Sequence, residues 1–598
     1  MARVLFINPS TRHHGTALTV YPPLGILSIC AILRKAGHEV RFIDADIDEI
    51  RPEYIQQTIK TFAPQVVGIT MSTLQFRSTI ETAEMIKRVA EGTVIVVGGP
   101  HPSALKDDIL KSCSSIDVVV YGEGEITAME LVRAIEDERS LKGINGLCFR
   151  EGMNVIVNPP REPIEDLDSL PRPALDLAMP IRRYPGSYPV GARPTIQLMA
   201  SRGCPFHCTF CSNAVWGRRL RLRSPESILD EIEGLWKDYR IREVFFQDDT
   251  FNMKRDWFEV ICSGLIERGL NNKMVFRAPF RANEMLVDRD MLKLAKQAGF
   301  WMIFYGVESG SQQILDSVKK NLKKDEIERA FKLTKKAGIK TYASFMIGNL
   351  GEDRKTVEET IDFALKLNPD FYGFAIATPY PGSQLYEVAQ KKGLIKSGFD
   401  GYGLSRYIME GCGLSPQDVE ELAREAFRLM ECRRLSWLYK LRERMHGGHI
   451  PPKKHLDHYP VKDPDLELLG TEILMGESDW DVLGDGWYAL ENAPPRFRWT
   501  GRRATAFLKG GRGLRKLCLR ALTMPDGLAL KISVNHNSIG KFKIGTEWDV
   551  LEVPLDGIDE DALRIDLEAE KSWVPNELLG NGDLRELGVA VEKIWLES

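Results

Sequence analysis

The sequence predicts an α/β protein in three parts: a doubly wound α/β unit, a second α/β unit curling into a partial six-strand barrel, and a C-terminal β-sandwich. Three observations predict this. Amphipathic helical runs end in Ala-Gly and lead straight into an apolar strand at Ala36-Gly37, Ala298-Gly299 and Ala337-Gly338. Glycine just past a helix takes the left-handed conformation that stops it, and regular alternation of helix and strand reads as parallel sheet. A cluster of prolines, Pro159, Pro160, Pro163, Pro171 and Pro173, interrupts the alternation once. After about residue 460 the helical pattern gives way to short alternating strands.

Residues 1–160 form the first unit, with strands expected at Arg3–Asn8, Glu39–Ile43, Val66–Thr70, Val94–Val97 and Val118–Tyr121. Residues 161–189 read as a proline-rich linker. Residues 190–400 form the second unit, with strands at Thr195–Ala200, Glu243–Gln247, Met274–Ala278, Met302–Val307, Lys340–Met346 and Phe371–Ala377. Six strands fall short of a closed eight-strand barrel, so an open one is expected. Residues 401–459 read as a basic helical segment around Val419–Met445 and a linker that begins at His446 and extends to about Asp465. Residues 460–598 supply the sandwich strands, among them Leu528–Val534, Trp548–Val553, Leu563–Leu567 and Val589–Leu596.

Bulk properties exclude several classes. The 598 residues are 43% hydrophobic and 27% charged, ample for several cores. A formal net charge of −4 argues against a general nucleic-acid binder, which carries a basic excess. No apolar run approaches the roughly 18 residues that span a bilayer, and the first apolar run, Val4–Ile7, is too short for a secretory signal. Ten scattered cysteines give no disulfide framework and suit a reducing cytoplasm.

The chemistry concentrates in Ser201-Arg202-Gly203-Cys204-Pro205-Phe206-His207-Cys208-Thr209-Phe210-Cys211-Ser212. Cys204, Cys208 and Cys211 place three soft ligands in one short loop, which suits an iron–sulfur cluster or zinc. Zinc asks for a fourth Cys or His at finger spacing, and His207 lies between two of the ligands. Three ligands on a four-iron cluster leave one iron open.

This spacing resembles the signature of the radical S-adenosylmethionine (SAM) enzymes, including the aromatic Phe210 before the last cysteine. The resemblance implies a 4Fe-4S cluster whose open iron chelates SAM and cleaves it to a 5′-deoxyadenosyl radical. Further segments follow the strands of the second unit in the order that family uses. Gln247-Asp248-Asp249 stands where the family binds the SAM ammonium, often with Gly-Gly-Glu; the carboxylates here serve equally as a helix cap. Arg281, in Phe280–Asn283, is placed to meet a carboxylate or to form a surface ion pair. Glu308 and Ser309, in Tyr305–Ser311, stand past a buried strand where a charge is costly unless paired. The resemblance gives them the SAM ribose or amino group. Met346–Asp353 and Ala377–Ser383 are expected to shape the adenine side and to close the barrel.

In the first unit, three loops suit a large ligand: Thr70-Met71-Ser72-Thr73, Gly98-Gly99-Pro100-His101-Pro102-Ser103 and Tyr121-Gly122-Glu123-Gly124-Glu125. Glycines admit close backbone approach and hydroxyls donate. With Tyr21–Gly25 they resemble the cobalamin-binding domain that precedes many radical SAM cores, which gives Thr70, Ser72, Gly98, Gly99, Gly122 and Gly124 cobalamin contacts. The motif Asp-x-His-x-x-Gly, which supplies a cobalt-ligating histidine, is missing; the nearest text is Asp44-Ala45-Asp46. Many cobalamin-dependent radical SAM enzymes also lack it, and His101 is assigned no cobalt role. The competing reading is a domain that kept the fold and lost the cofactor.

The resemblance implies methylation of an unactivated carbon by way of cobalamin, or alternatively a cyclisation, oxidation or rearrangement without methyl transfer. A non-enzymatic cobalamin sensor with a structural cluster is the third reading. Expected partners are a small-molecule, lipid or saccharide substrate and a reducing donor such as flavodoxin or ferredoxin. The saccharide reading rests on Trp487-Tyr488, Arg496–Arg503 with Trp499, Asn576-Glu577 and Asp583–Gly588, which resemble small sandwich domains appended to glycan-modifying enzymes; Trp499 equally suits a core.

Overall fold

Apolar runs bounded by helices pair edge to edge in the first part of the chain. The structure, a computed structural model, describes residues 1–11, 19–48, 50, 52–430, 472–474, 487–491, 497–500, 503–509, 515–523, 528–535, 537–555, 562–570 and 589–597. It falls into two units, 1–435 and 436–598, described separately below.

The first sheet contains β1 (Arg3–Asn8), β2 (Glu39–Asp44), β3 (Val66–Thr70), β4 (Val94–Gly98), β5 (Val118–Val120), β6 (Leu147–Glu151) and β7 (Asn154–Val157), in the order β2-β1-β3-β4-β5-β6-β7. β1 to β5 are parallel. The inner strands β1, β3, β4 and β5 are mostly apolar because helices cover both faces, while the edge strand β2 carries the exposed Glu39 and Arg41. Val4, Phe6, Val66, Val96 and Val118 pack against α1 (Leu24–Lys35) and α6 (Gly124–Glu136). Leu5, Ile7, Val67, Ile69, Ile95 and Val97 pack against α2 (Pro52–Phe62), α3 (Phe76–Val89) and α5 (Asp107–Ser112), with the short α4 (Pro100–Leu105) beside them. The sheet order reverses between β1 and β3, the switch point at which doubly wound sheets bind ligands. The antiparallel hairpin β6–β7 was not expected. Its second strand is only half covered, and the run Val155–Val157 is too short to mark a strand by itself.

The proline-rich stretch is folded rather than extended. It forms short 3-10 turns at Leu167–Ser169, Leu175–Ala178 and Ile181–Arg183. Ala174 enters the core of the first sheet, while Leu175, Ala178, Ile181 and Tyr184 enter that of the second.

The second sheet is parallel and follows chain order: β8 (Thr195–Leu198), β11 (Glu243–Phe246), β12 (Val275–Phe280), β13 (Phe300–Glu308), β14 (Lys340–Ile347) and β15 (Phe371–Ile376). A two-residue ribbon, β9 (Ser201–Arg202) with β10 (Arg221–Leu222), stands beside it. Among the described residues nothing pairs with the outer edges of β8 and β15, so the barrel they form is open. Ile196, Val244, Phe246, Phe276, Tyr305, Ala343 and Phe345 face the core under α7 (Pro225–Tyr239), α8 (Arg255–Glu267), α9 (Arg289–Gln297) and α11 (Lys324–Lys336). The alternate residues Gln197, Phe245, Phe304, Tyr342 and Ser344 are only half buried, on the concave side. The short α10 (Gln312–Ser317) follows β13, and α12 (Arg354–Leu367) and α13 (Gln384–Lys391) complete the layer. Residues 416–430 are helical; the rest of the expected helix to Met445 and the following linker lie outside the described residues. Among the described residues no helix is long and apolar enough to cross a membrane.

In the second unit, two antiparallel sheets share one apolar core. One runs β17 (Trp487–Glu491), β18 (Phe497–Thr500), β25 (Ala590–Glu597), β20 (Lys516–Leu522), β23 (Asp549–Pro554), with β16 (Glu472–Leu474) also on β25. The other runs β19 (Arg503–Lys509), β24 (Ala562–Ala569), β21 (Leu528–Val534), β22 (Asn537–Ile544). Leu519, Val553 and Ile594 of the first meet Ala506, Ile532 and Ile565 of the second, as in a sandwich. The side chains of Trp487, Tyr488 and Trp499, and the segments 576–577 and 583–588, lie outside the described residues.

Two loops at strand ends carry sharp constraints. The chain leaving β13 lies flat on α12: Gly310 N donates to Thr360 Oγ1 at 3.0 Å, and a Cβ on Gly310 would stand 2.7 Å from the Thr360 Cα and closer still to the Glu359 carbonyl. Gly310→Ala is therefore expected to cost about 1–3 kcal/mol by overpacking against helix backbone, read as a lowered urea midpoint. After β14, the buried Glu352 carboxylate accepts from Gly348 N at 2.6 Å and Asn349 N at 2.9 Å. Burial, with Asp353 nearby, pushes its pKa from 4.5 up to about 7. The native state thus holds this proton more tightly than the unfolded chain; the stabilisation is full below pH 4.5 and is lost as pH rises through 7. Glu352→Gln keeps the acceptor and removes the ionisation, so it should flatten a slope worth up to about 3 kcal/mol between urea midpoints at pH 5 and pH 8.

Candidate active site

The cysteine loop is held from three sides. Ribbon β9–β10 turns the chain out of β8, and Gly203 follows with φ +86°; a Cβ there would strike the Arg219 carbonyl. Thr209 N donates to Val318 O at 3.0 Å, and Leu385 N donates to Thr209 O at 2.8 Å. Phe210 packs on the core formed by Met346, Ile347 and Val357. Cys208 is buried, Cys204 half-buried and Cys211 exposed.

The three thiols share one locale. Burial pushes Cys211 up to about 12 and raises Cys204 as well, and in both cases the neighbouring Cys208 adds to the shift. Cys211 is exposed and yet strongly desolvated, the combination expected of a group lining a cleft. Thiols this reluctant to ionise become thiolates when a metal centre offsets the charge, which fits an iron–sulfur cluster. Among the described residues no three His, Cys, Asp or Glu side chains converge on a single ion. A cluster, with one thiolate per iron, does not ask them to. His207 is exposed.

Around this loop the structure gathers Arg281, Glu308 and Asp249. The Arg281 guanidinium lies 3.5 Å from the Phe206 ring centre, and its Nη1 lies 4.0 Å from Cys208 Sγ. Its Nη2 donates to the Lys320 carbonyl and its Nε to Asn283 Oδ1 at 2.7 Å. Asn252 holds the Arg281 backbone through bonds of 2.9 and 3.0 Å. Glu308 ends β13 with φ +67°, a strained conformation for a non-glycine residue. Its carboxylate accepts from Lys320 Nζ at 2.7 Å, and both side chains are nearly buried. Gly306 makes room beneath them, since a Cβ there would lie 2.6 Å from Glu308 Oε1. Asp249 is exposed beside Cys204, yet the surrounding protein raises its pKa. Gln247 is also exposed.

Two predicted residues turn inward. Asp248 is buried under the cysteine loop, accepting from Ser201 Oγ and from Ala200 N at 3.3 Å, and burial pushes it up to about 7. Ser309 is fully buried; its hydroxyl pairs with Thr360 Oγ1 at 2.9 Å and accepts from Ser311 N at 3.1 Å. Lys320 was not foreseen, because Lys319-Lys320 reads as a solvated charge run after α10. Only a buried acid on the preceding strand, Glu308, hinted that one lysine must turn in.

The loops at the carboxyl ends of β3, β4 and β5 are tied into one rim. Met71 N donates to Gly98 O at 2.8 Å, Thr73 Oγ1 and His101 Nδ1 lie 3.0 Å apart, and Ser103 Oγ links Gly99 O at 2.7 Å with Gly122 N at 3.1 Å. Gly99 has φ +112°, and a Cβ on it would stand 2.9 Å from Met71 O and 3.2 Å from Thr70 Oγ1. Above Gly122, φ +76°, there is open space. Thr70 and Ser72 are half-buried on this rim, and Gly124 opens α6. A glycine-lined rim open to solvent fits a large flat ligand approaching the backbone. The His101 ring is boxed edge-on by Phe76 and Phe399, at 5.4 and 4.6 Å between centres, and burial lowers its pKa to about 4. Asp44 and Asp46 are structural: Asp44 accepts from Asn8 and Tyr184, both at 2.8 Å, and Asp46 pins Thr11 and Thr19.

The comparisons agree with this division. The B12 binding domain family matches residues 14–132, and the Radical SAM superfamily matches residues 198–364. The chain is 35% identical over 412 residues to an uncharacterized methyltransferase of Pyrococcus horikoshii, covering 68% of this chain and 87% of that protein. It is 32% identical over 391 residues to the anaerobic magnesium-protoporphyrin IX monomethyl ester cyclase of Rubrivivax gelatinosus, covering 64% and 69%. The fold resembles the cobalamin-dependent SAM radical enzyme OxsB with aqua-cobalamin and SAM bound, at TM-score 0.59 and 20% identity over 75% of this chain and 69% of that one. The chain therefore belongs to the cobalamin-dependent radical SAM enzymes, and its cofactors are a 4Fe-4S cluster, SAM and cobalamin.

Proposed function

We propose that the enzyme methylates an unactivated carbon of a small-molecule, lipid or glycan-type substrate. The observation that carries this reading is contact: the Gly122–Glu125 loop, on the rim read as the cobalamin side, meets the ribbon leading into Cys204 through buried ion pairs. In this reading the two cofactor sites are neighbours within one unit. The Pyrococcus relative's methyltransferase name points the same way. The second reading, cyclisation or oxidation without methyl transfer, is favoured by the cyclase relative.

Cys204, Cys208 and Cys211 hold the cluster in this reading. When bound, the cofactors supply a 5′-deoxyadenosyl radical and a transferable methyl group. The protein positions them. Asp249, beside Cys204, accepts from the SAM ammonium, and Glu308 accepts from a SAM hydroxyl or amino group while Lys320 offsets its charge. Arg281 stacks on Phe206 and holds the loop after α10 through the Lys320 carbonyl. Asp248 and Ser309 shape the loops from behind. Thr70, Ser72, Gly98, Gly99, Gly122 and Gly124 form the cobalamin rim. The one-electron supply comes from a donor such as flavodoxin or ferredoxin in a reducing cytoplasm.

Cys208→Ala is expected to drop iron and sulfide retention to background after anaerobic reconstitution and to abolish 5′-deoxyadenosine formation. Glu308→Gln should keep the iron and weaken SAM binding about 10- to 100-fold, the loss of one hydrogen bond to a charged group at about 1.5–3 kcal/mol. The decisive readout is product mass: a gain of one methylene unit supports methylation, and any other change favours the second reading.

A further inference from the structure

Four buried charges join the loop after β5 to the ribbon before the cysteines. Glu123 and Glu125 flank Gly124, and Arg202 and Arg221 are paired across β9–β10. Glu123 Oε1 lies 2.7 Å from Arg221 Nη2 and 3.5 Å from Arg202 Nη1. Glu123 Oε2 accepts from Arg221 Nη1 at 3.0 Å and from Ile164 N at 2.6 Å. Arg202 Nη2 donates to Glu125 Oε1 at 2.5 Å, and its guanidinium lies 4.4 Å from the Trp216 ring centre. None of the four side chains is more than 9% exposed.

Burying four ions is a costly way to join two domains, since apolar residues of similar volume hold surfaces together at least as well. What ions add is dependence on position: in a low-dielectric setting a small displacement changes the energy steeply. The network is also incompletely closed. Glu123 Oε1, Arg202 Nη1 and Arg221 Nε, all buried, make no hydrogen bond, and the 3.5 Å gap between the first two is short of one. The loop that carries Glu123 also carries the left-handed Gly122, so a movement of that loop would change the gap directly. Arg202 is two residues from Cys204, so the closure reaches the cluster loop directly.

We propose that Glu123, Glu125, Arg202 and Arg221 are positioning residues that couple the two cofactor sites: cobalamin orders the Gly122–Glu125 loop, closes the Glu123–Arg202 contact, and so raises the affinity of the cluster site for SAM. The inference rests on the assignment of that loop to cobalamin made above. Linkage requires the effect to be reciprocal, with SAM tightening cobalamin by the same factor.

The test uses the full chain with its cluster reconstituted. The dissociation constant of SAM is measured with and without hydroxocobalamin, that of hydroxocobalamin with and without SAM, and the electron paramagnetic resonance signal of the reduced cluster is recorded in each state. The wild type is expected to show mutual tightening of at least about fivefold and a cobalamin-dependent change in the cluster signal. In Glu125→Gln and in Arg202→Lys, which keeps the charge but cannot span both carboxylates, each ligand should still bind alone while the coupling factor falls toward one. Glu130→Gln, on the same helix as Glu125 and partly exposed in its pair with Arg161, should keep the coupling. Independent binding in the wild type, coupling that survives in both variants, or loss of hydroxocobalamin binding in both would overturn the proposal. These constants are readable whatever product is formed, so failure of the methylation reading and failure of the coupling are separate results.

Discussion

Parallel strand direction is the constraint on which the rest depends. Because β1 to β5 run one way, the ligand loops after β3, β4 and β5 emerge at a single edge of the first sheet. The barrel strands obey the same rule, so the cysteine loop after β8, Asp249 after β11, Arg281 after β12 and Glu308 at the end of β13 converge at one rim. Residues far apart in sequence become neighbours without any dedicated scaffold. Apolar packing on both faces of the first sheet, and on the helix-covered face of the second, keeps that direction.

Within that frame the polar groups divide into two kinds. Some are spent on the loops themselves: Asp248 under Ser201, Ser309 on Thr360, Glu352 across Gly348 and Asn349, Asp46 on Thr11 and Thr19. Others keep capacity toward the cleft. Asp249 has no compensating charge to lower its raised pKa, and desolvation raises the Cys211 thiol by more than the nearby Lys320 lowers it. The first kind buys rigidity; the second supplies chemistry.

Much of this was legible in the sequence, for identifiable reasons. All eleven strands read from the first two units are found, because the inner ones appear as apolar runs and the others as alternations between helices that end in Ala-Gly. The hairpin β6–β7 was not legible because both strands are short and neither Leu147–Glu151 nor Asn154–Val157 shows a long apolar run or a clear alternation. Motif positions revealed which residues gather near the cysteines but not which way they point. Asp248 and Asp249 are adjacent and identical in type, and strand alternation sends one under the loop and the other to the cleft. Lys320 and the Glu123–Arg202 contact were invisible because each depends on a partner on another element, and sequence alone does not supply the partner.

The folded linker bears on how such an enzyme is inherited and rebuilt. Ala174 fills the core of one sheet, and Leu175, Ala178, Ile181 and Tyr184 fill that of the other. Tyr184 also reaches back to Asp44 of β2. A seam cut near residue 160 would open both interiors at once, so the two domains are not freely exchangeable modules. A chimera assembled from two relatives keeps its packing only if residues 161–189 travel with both of their neighbours, so the two α/β domains recombine as one piece.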